Sequence, residues 1–556
     1  MTSARGIIVF VTLLFSTACS QQSTQQVATI YGPVTGVTTS EVKAFRSIPY
    51  AAAPIGELRW QSPQPPTPWD TARSANEYGP ACWQPTTGNG NDQFLDMLLD
   101  GSGMSSFKKG LLNLGMSLLG ANVSEDCLTL SVISPLNVTE PLPVMFWIHG
   151  GAHQFGDGGQ WYESASLVNQ GVILVNINYR LGLYGFFAHA DLAAEDDNGS
   201  TGNYGMLDQL AALQWVQDNI ENFGGDPNNV TIFGESAGAH SVGQLMASPL
   251  SKGLFHRAIA QSGAGFHQFQ STHSNYEHDS GYQSGAKAVT VMNVEGDDAI
   301  SRLRAMTTEQ LQKMAVMPEL SATYHPQIDG YVLPQSTAQI FAEGRQMPVP
   351  LIVGSNADEG SVLYYLGLPP VDGNEALDPR SVSAWESILD DAFGANAPEV
   401  LKHYQPQTDD DVVKLAETMM TDSLFGRHAY YMAGAHGKKA HPAYFYFYER
   451  HPPTADQTIG ASHALEINHV FGGLMPLWPS DERDAELTTE MQRYWVQFAR
   501  TGNPNYEGAQ YWPAFSDSPR EMVFGHERTA DRAVDRKKRY EAMRAQQDAR
   551  VAKATE

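Results

Sequence analysis

The sequence predicts an α/β protein with a large, mostly parallel central sheet that carries helices on both faces. Continuous apolar runs, typical of strands covered on both faces, occur at 143–148, 171–177 and 350–354. Apolar residues three and four positions apart predict a helix over 205–222. Segments of the two kinds alternate along the chain, which is the order expected of a doubly wound sheet.

Length and composition narrow the class of protein. The chain has 556 residues, 42% of them hydrophobic, which suits one large α/β domain with insertions. Its formal net charge of −26 argues against a nucleic-acid partner, because phosphates are bound by basic surfaces. It has three cysteines and no C-x-x-C pair, so we expect neither a zinc site nor a redox dithiol.

The first residues have the pattern of an export signal. Residues 1–18 combine a positive start, a short apolar run and small residues at the end, which predicts a signal peptide. Cys19 then resembles the cysteine of a bacterial lipoprotein box, which predicts lipidation, membrane attachment and a disordered tether over 19–28. Ordinary cleavage near Ala18, giving a soluble periplasmic or secreted protein, is the alternative.

Two cysteines bracket an unusual segment. Cys82 and Cys127 are the only pair left after export, and they are either bridged or two buried thiols. Residues 83–126 between them place many flexible apolar side chains at helical spacing. This segment is interpreted either as a lid over a hydrophobic site or as a packed surface excursion.

The strongest motif lies in the middle of the chain. Val230–Phe233 predicts a buried strand, and Gly234-Glu-Ser-Ala-Gly238 then matches the G-x-S-x-G nucleophile elbow. The two glycines leave room at a sharp strand-to-helix turn, and Ser236 at its corner would project its hydroxyl out of the sheet. The N–H of Ala237 would point to where negative charge develops.

A serine nucleophile needs a base and an orienting carboxylate later in the chain. Asp358 and Glu359 follow the strand at 350–354 and compete for the acid position. His463 has a context of small residues, but general rules do not choose among the histidines after residue 360. Those histidines are His403, His428, His436, His441, His451, His463, His469 and His526.

The remaining segments provide a candidate oxyanion loop, two further secondary-structure elements and the domain boundaries. His149-Gly-Gly-Ala152 follows the strand at 143–148 and precedes Ser236 by about 85 residues, which suits an oxyanion loop. A strand is predicted at 443–448 and a closing helix at 491–501. We expect a single domain over 29–525 and a charged, solvated tail over 526–556.

An ordered series of motifs identifies the chain as a member of the type-B carboxylesterase/cholinesterase family of α/β-hydrolases. The resemblance extends from about Tyr31 to Phe515. Its motifs are Ile48–Ala51, Ser124–Leu128, His149–Ala152, Asn178–Gly182, Gly202–Leu213, Phe223–Pro227, Gly234–Gly238, Asp329–Gly330, Asp358–Gly360 and Thr501–Asn505.

The resemblance implies an α/β-hydrolase fold and hydrolysis of small-molecule carboxylic esters without metal or cofactor. The family's triad falls on Ser236, Glu359 and His463, and its oxyanion donors fall on Gly151, Ala152 and Ala237. Cys82 and Cys127 match a family disulfide, and Glu235 and Ser262 match positions that line and support the site.

Departures from the family pattern concern specificity. Ala152 replaces the third glycine of the oxyanion loop, and His153 replaces an aromatic residue of the gorge wall. The segment 117–126 has no tryptophan, so a preference for choline esters is not expected. The alternatives are an amide or carbamate hydrolase on the same machinery, or a non-catalytic binding module, which the filled catalytic positions disfavour.

Overall fold

The computed structural model describes residues 23–85, 90–119, 122–267, 270–274, 279–317, 320, 324–372, 378–438, 441–473 and 477–553. The expected signal peptide and Cys19 lie outside these residues. Within them, no helix combines the length and the apolar character needed to cross a membrane.

One large sheet organises the described chain. The strands are β1 (Ser23–Thr29), β2 (Gly32–Thr38), β3 (Val42–Pro49), β4 (Arg73–Ser74), β5 (Ala81–Cys82), β6 (Val123–Ser124), β7 (Thr129–Pro135), β8 (Leu142–Ile148), β9 (Ile173–Ile177), β10 (Gly225–Glu235), β11 (Arg257–Gln261), β12 (Leu351–Asn356), β13 (Ala443–Tyr448), β14 (Arg520–Phe524) and β15 (Thr529–Ala533). Their order is β1-β2-β3-β7-β9-β8-β10-β11-β12-β13-β14-β15, with β4 beside β2 and β5-β6 as a separate pair.

The sheet is parallel at its centre and antiparallel at both edges. Strands β9, β8, β10, β11, β12, β13 and β14 pair in parallel, whereas β1, β2, β3, β7 and β15 add antiparallel pairs. The predicted fold class is confirmed. In the parallel register Gly234 lies opposite Ile148 and Ala260, so the carboxyl ends of β8, β10 and β11 meet at one edge. Ligands of open α/β sheets bind at this edge.

Helices cover the sheet. They are α1 (Gly90–Gly101), α2 (Ser106–Leu119), α3 (Ala165–Val168), α4 (Gly182–Phe186), α5 (Ala190–Glu195), α6 (Tyr204–Asn219), α7 (Ala237–Ala247), α8 (Gly281–Val291), α9 (Ala299–Arg304), α10 (Thr308–Ala315), α11 (Thr337–Glu343), α12 (Gly360–Leu363), α13 (Val382–Phe393), α14 (Ala397–Leu401), α15 (Val412–Met420), α16 (Arg427–Gly437), α17 (Ile467–Phe471), α18 (Glu482–Thr501), α19 (Lys537–Ala542) and α20 (Arg544–Lys553).

Two apolar cores occupy the two faces of the sheet. Along β8, Phe146 and Ile148 belong to one core, whereas Met145 and Trp147 belong to the other. This alternation follows from the period of two in a strand, and the continuous apolar run at 143–148 is its sequence signature. Such a sheet holds its strand ends rigidly for the site.

The tether predicted over 19–28 is wrong for residues 23–28. Strand β1 pairs with β2 along its whole length, from Ser23 opposite Thr38 to Thr29 opposite Gly32. Val27 is buried against the core. A polar run of Ser, Thr and Gln is compatible with an edge strand, because its ladder bonds are made by the backbone and only one face is covered.

The solvated tail predicted over 526–556 is also wrong for the described residues 526–553. Strand β15 extends the sheet beside β14, and Tyr540 and Met543 are almost fully buried. Arg536 contacts the buried carboxylate of Glu521 at 2.6 Å. The charged composition is misleading because ion pairs join this segment to the domain. The domain therefore extends through both predicted boundaries at 29 and 525.

The segment between the two cysteines is helical. Cys82 and Cys127 form a disulfide, as the family resemblance implied, with their Cα atoms 4.9 Å apart. The enclosed segment carries α1 and α2, and its buried residues Leu99, Met104 and Leu112 form a small apolar cluster of their own. The closing helix predicted at 491–501 is α18, which starts nine residues earlier at Glu482.

Candidate active site

The turn between β10 and α7 has the geometry of a nucleophile elbow. Ser236 has φ 56° and ψ −123°, a strained conformation for a residue with a side chain. A Cβ on Gly238 would lie 2.0 Å from the Ile148 carbonyl oxygen, and one on Gly234 would lie 2.6 Å from the Gly238 carbonyl carbon. Both obstacles are backbone atoms, so only glycine fits at either position.

The glycine loop after β8 lies directly against Ser236. A Cβ on Gly150 would be 3.1 Å from Ser236 Cβ. Gly151 and Ala152 have φ values of 99° and 53°, which turns the backbone sharply at this point. The hydroxyl of Tyr179 donates to the His149 carbonyl at 2.9 Å and helps to fix the loop. The expected oxyanion residues are thus brought to the start of α7.

His463 lies next to Glu359. Its Nδ1 is 2.5 Å from Glu359 Oε2, and both side chains are buried. The other oxygen of Glu359 accepts the N–H of Asn356 at 2.7 Å, which fixes the carboxylate. Its neighbour Asp358 points elsewhere and accepts the N–H of Ala461 at 3.0 Å. Of the two rival acids, Glu359 therefore contacts the imidazole.

Several other candidate histidines are engaged elsewhere. His436 contacts the Val349 carbonyl, His469 contacts Thr488, and His451 stacks on His526. His428 is buried beside Asp372. The loop after β13 carries His463, and the Asp358–Ser462 bridge holds this loop beside the end of β12. Tertiary structure thus brings His463 to the carboxyl edge of the sheet.

A second carboxylate faces the other nitrogen of His463. Glu235 Oε1 lies 3.2 Å from His463 Nε2. Burial raises the pKa of Glu235 well above the usual range of a carboxyl, although the nearby imidazole opposes the shift. Burial favours the neutral form of His463, but Glu235 and Glu359 outweigh it and raise the pKa of the imidazole. Glu235 and His463 therefore titrate as a coupled pair.

Glu466 is a further buried acid of this cluster, and sequence reasoning missed it. Its carboxylate accepts from Asn356 Nδ2 at 2.6 Å and from Gln261 Nε2 at 3.2 Å. Burial raises its pKa, as does the negative charge of Glu359. The available signal was an acidic residue three positions after His463 in an otherwise apolar stretch. Ser262, expected to support the site, is fully buried with φ 53°.

Two aromatic rings flank the imidazole. Phe94 on α1 meets the His463 ring edge to face, with 6.1 Å between centroids, and the Phe425 ring lies tilted against it at 5.0 Å. Phe425 belongs to a π-helical turn, Thr421–Gly426, a feature often found at functional sites. Helix α1 of the disulfide-closed segment thus reaches the site.

His153 does not line the site as an exposed wall residue. Its side chain is 1% exposed, and Nε2 lies 3.1 Å from the Ser241 hydroxyl. Burial lowers its pKa well below the usual value, so the ring is neutral. A short turn after Ala152, with φ 58° at His153, directs this side chain inward. Among the described residues, no three His, Cys, Asp or Glu side chains are grouped to hold a metal ion.

Comparisons with known proteins agree with this geometry. The model of the carboxylesterase family matches residues 23–546. The chain is similar to the fumonisin B1 esterase of Sphingopyxis macrogoltabida, with 35% identity over 89% of this chain and 85% of that protein. It is 34% identical to the para-nitrobenzyl esterase of Bacillus subtilis (strain 168), covering 93% and 98% of the two chains.

Solved structures that resemble this chain are also esterases. A PNB esterase structure superposes with a TM-score of 0.75 and 32% identity, covering 94% of this chain and all of that one. The residues matched by the family model, 23–546, include the strands at both edges of the sheet. The chain therefore belongs to the carboxylesterase family and is a carboxylic ester hydrolase.

Proposed function

We propose that Ser236, His463 and Glu359 form a catalytic triad that hydrolyses small-molecule esters through an acyl-enzyme. The observation that carries the proposal is the 2.5 Å contact between His463 and Glu359 beside the strained Ser236 turn. A carboxylate on Nδ1 holds the tautomer that leaves Nε2 able to accept a proton. It also stabilises the imidazolium that forms.

The reaction proceeds in two acyl transfers. His463 accepts the Ser236 proton while Oγ attacks the ester carbonyl, and the imidazolium then protonates the departing alcohol. Water attacks the acyl-enzyme in the same way and regenerates the free serine. Phe94 and Phe425 keep bulk water away from the imidazole during these transfers.

The backbone N–H groups of Gly151, Ala152 and Ala237 bind the oxyanion. Replacement of glycine by Ala152 leaves an N–H in place, so the donor survives. Each such donor is worth about 2.7–4 kcal/mol of transition-state stabilisation. Because the groups are fixed by the loop and the helix start, little reorganisation accompanies the reaction.

A labelling experiment tests the assignment of the nucleophile. Ser236→Ala should lower 4-nitrophenyl acetate hydrolysis by about 10⁴-fold or more and abolish labelling by a fluorophosphonate. The control is Ser301→Ala on α9, an exposed serine outside the site. Peptide mapping of the labelled wild type should find the adduct on Ser236, and an adduct on another serine would overturn the assignment.

The export signal supports a proposal about location. Cleavage before Cys19, followed by its lipidation, would anchor the protein to a membrane, whereas ordinary cleavage would release it. Radiolabelled palmitate fed to a bacterial host should label the wild type but not Cys19→Ser. An unlabelled mature protein whose first residue lies beyond Cys19 would refute lipidation.

A further inference from the structure

Three imidazoles form a continuous group that begins one helical turn after Ser236. His240, His267 and His428, called here the histidine wall, contact one another ring to ring. The His240 and His267 centroids are 4.2 Å apart, and His267 stacks parallel to His428 at 5.9 Å. The proposed triad does not use any of them.

The wall is joined directly to the nucleophile turn. His240 lies one helical turn after Ser236, and its N–H donates to the Ser236 carbonyl at 2.9 Å. Its Nδ1 accepts the N–H groups of Ala264 and Gly265 at 3.1 and 2.9 Å. The loop between β11 and His267 is therefore held against the first turns of α7, the helix that begins after Ser236.

His267 is the partly exposed member of the wall. The Nδ1 atom of His267 has no hydrogen-bond partner among the described residues. His428 also has an unpartnered Nδ1, but its side chain is completely enclosed. The side chain of His267 is partly exposed, although its Nδ1 atom is enclosed, whereas the side chains of His240 and His428 are buried. An unpaired buried polar atom in a native protein calls for a partner.

The C-terminal helix fixes the position of this imidazole. On α20, Gln547 donates to the Phe266 carbonyl at 3.1 Å, and Arg550 donates to the His267 carbonyl at 3.1 Å. Arg550 is also paired with Asp372, which contacts Arg427 of α16 at 3.1 Å. A ring held by its backbone in this way loses little freedom on binding.

The ring is neutral at the pH at which esterases work. Burial lowers the pKa of His267 to about 3, although Asp372 opposes the shift. A neutral imidazole has one N–H donor and one acceptor nitrogen, so it recognises a hydrogen-bonding group rather than a charge. The surrounding wall is polar, whereas Phe94 and Phe425 present apolar surface to His463.

We propose that His267 is a specificity-determining residue that donates a hydrogen bond to an acceptor oxygen on the substrate. The preferred substrates are esters that carry a keto or ether oxygen a few bonds from the scissile carbonyl. This inference rests on the proposed triad reaction, because Ser236 defines where the substrate lies. Sites that hydrogen-bond a substrate discriminate strongly against analogues that lack the group.

Two pairs of nearly isosteric esters test the proposal. The acyl pair is 4-nitrophenyl 4-oxopentanoate and 4-nitrophenyl pentanoate, and the alcohol pair is 2-methoxyethyl acetate and butyl acetate. For each pair the measured quantity is the ratio of kcat/KM for the polar ester to kcat/KM for the apolar ester. His267→Phe should lower this ratio by roughly tenfold in one pair, since it removes one hydrogen bond and keeps a ring.

Two further variants check that the effect comes from the side-chain N–H of His267. His267→Gln retains a side-chain N–H and should recover part of the ratio, which a merely structural role would not explain. His273→Phe replaces an exposed histidine that contacts Thr272 outside the wall and should leave both ratios unchanged.

The outcomes separate the two proposals. Unchanged ratios in both pairs for His267→Phe, with the wild type active on every ester, would overturn the role of His267 alone. A wild type that hydrolyses none of the four esters, or a fully active Ser236→Ala, would instead overturn the triad assignment.

Discussion

The Ser236 turn and the acid–base cluster around His463 meet at one edge of the sheet but are built differently. The turn is made by the five consecutive residues Gly234–Gly238, and its glycines avoid backbone atoms. The cluster joins His463 to Glu359, 104 positions apart in the chain, and adds Glu235 and Glu466.

This difference indicates which kind of substitution should disrupt each region. The turn depends on backbone space, so any Cβ at its glycines displaces the nucleophile. The cluster depends on charge in a buried setting, where a carboxylate and its amide have the same shape but different effects on the imidazole. Substitutions that change only one of these properties distinguish the two regions.

The largest effect is expected from the charge of Glu359. Glu359→Gln keeps the acceptor for the Asn356 N–H but removes the charge on His463 Nδ1, so kcat should fall by about 10⁴-fold. Asp358→Asn is the matched control, because that side chain contacts the Ala461 N–H and not the imidazole. Steady-state kinetics of both variants check this. A dead Asp358→Asn beside a nearly normal Glu359→Gln would contradict the triad.

The turn should be broken by a single methyl group. Gly238→Ala places Cβ against the Ile148 carbonyl, and the resulting shift of Ser236 should lower kcat/KM by about a hundredfold. Gly110→Ala on α2, where a Cβ meets nothing within 4 Å, is the control and should leave turnover and the thermal midpoint nearly unchanged. Normal turnover in Gly238→Ala would mean that the turn tolerates displacement.

Glu235 should tune the pH dependence of the reaction. Its carboxylate helps to raise the pKa of His463, and the base must be neutral to accept the Ser236 proton. Glu235→Gln removes that charge, so the acid limb of the kcat/KM profile should move to lower pH by roughly one unit. A limb that stays in place or moves to higher pH would show that Glu235 does not control the imidazole.

The smallest effect on turnover is expected from the disulfide, which lies outside both regions. The double variant Cys82→Ser, Cys127→Ser opens a loop of 45 positions and should lower the free energy of unfolding by about 4 kcal/mol. Denaturant unfolding of this variant and the wild type measures the loss. Turnover at 25 °C should change little, and a dead but folded variant would instead link the α1–α2 segment to catalysis.

Sequence patterns predicted the strands at the centre of the sheet closely. The apolar run at 443–448 coincides with β13, and 143–148 differs from β8 by one residue. The edges were predicted less well, because β1 and β15 are polar and owe their pairing to neighbouring strands. The local amino-acid composition does not indicate which neighbouring strand a polar segment will pair with.

Some residues of the candidate site were likewise predicted from the sequence, whereas others were not. General rules pointed to Ser236 and to the glycine loop after β8 but left eight histidines and two acids open, and only the family motifs selected His463 and Glu359. No pattern indicated the contact of Glu235 with His463 Nε2 or the burial of His153. Phe94 contacts the imidazole from a segment whose role was open on sequence alone.

The sequence by itself determined the fold class, the elbow and the glycine loop after β8, because each depends on residue spacing or backbone space over a few consecutive positions. Only the tertiary structure decided which acids face His463, that the C-terminal helix holds His267, and that Val27 and Tyr540 are buried. These features depend on distances between residues far apart in the chain, and burial at those contacts sets the charge states of the site.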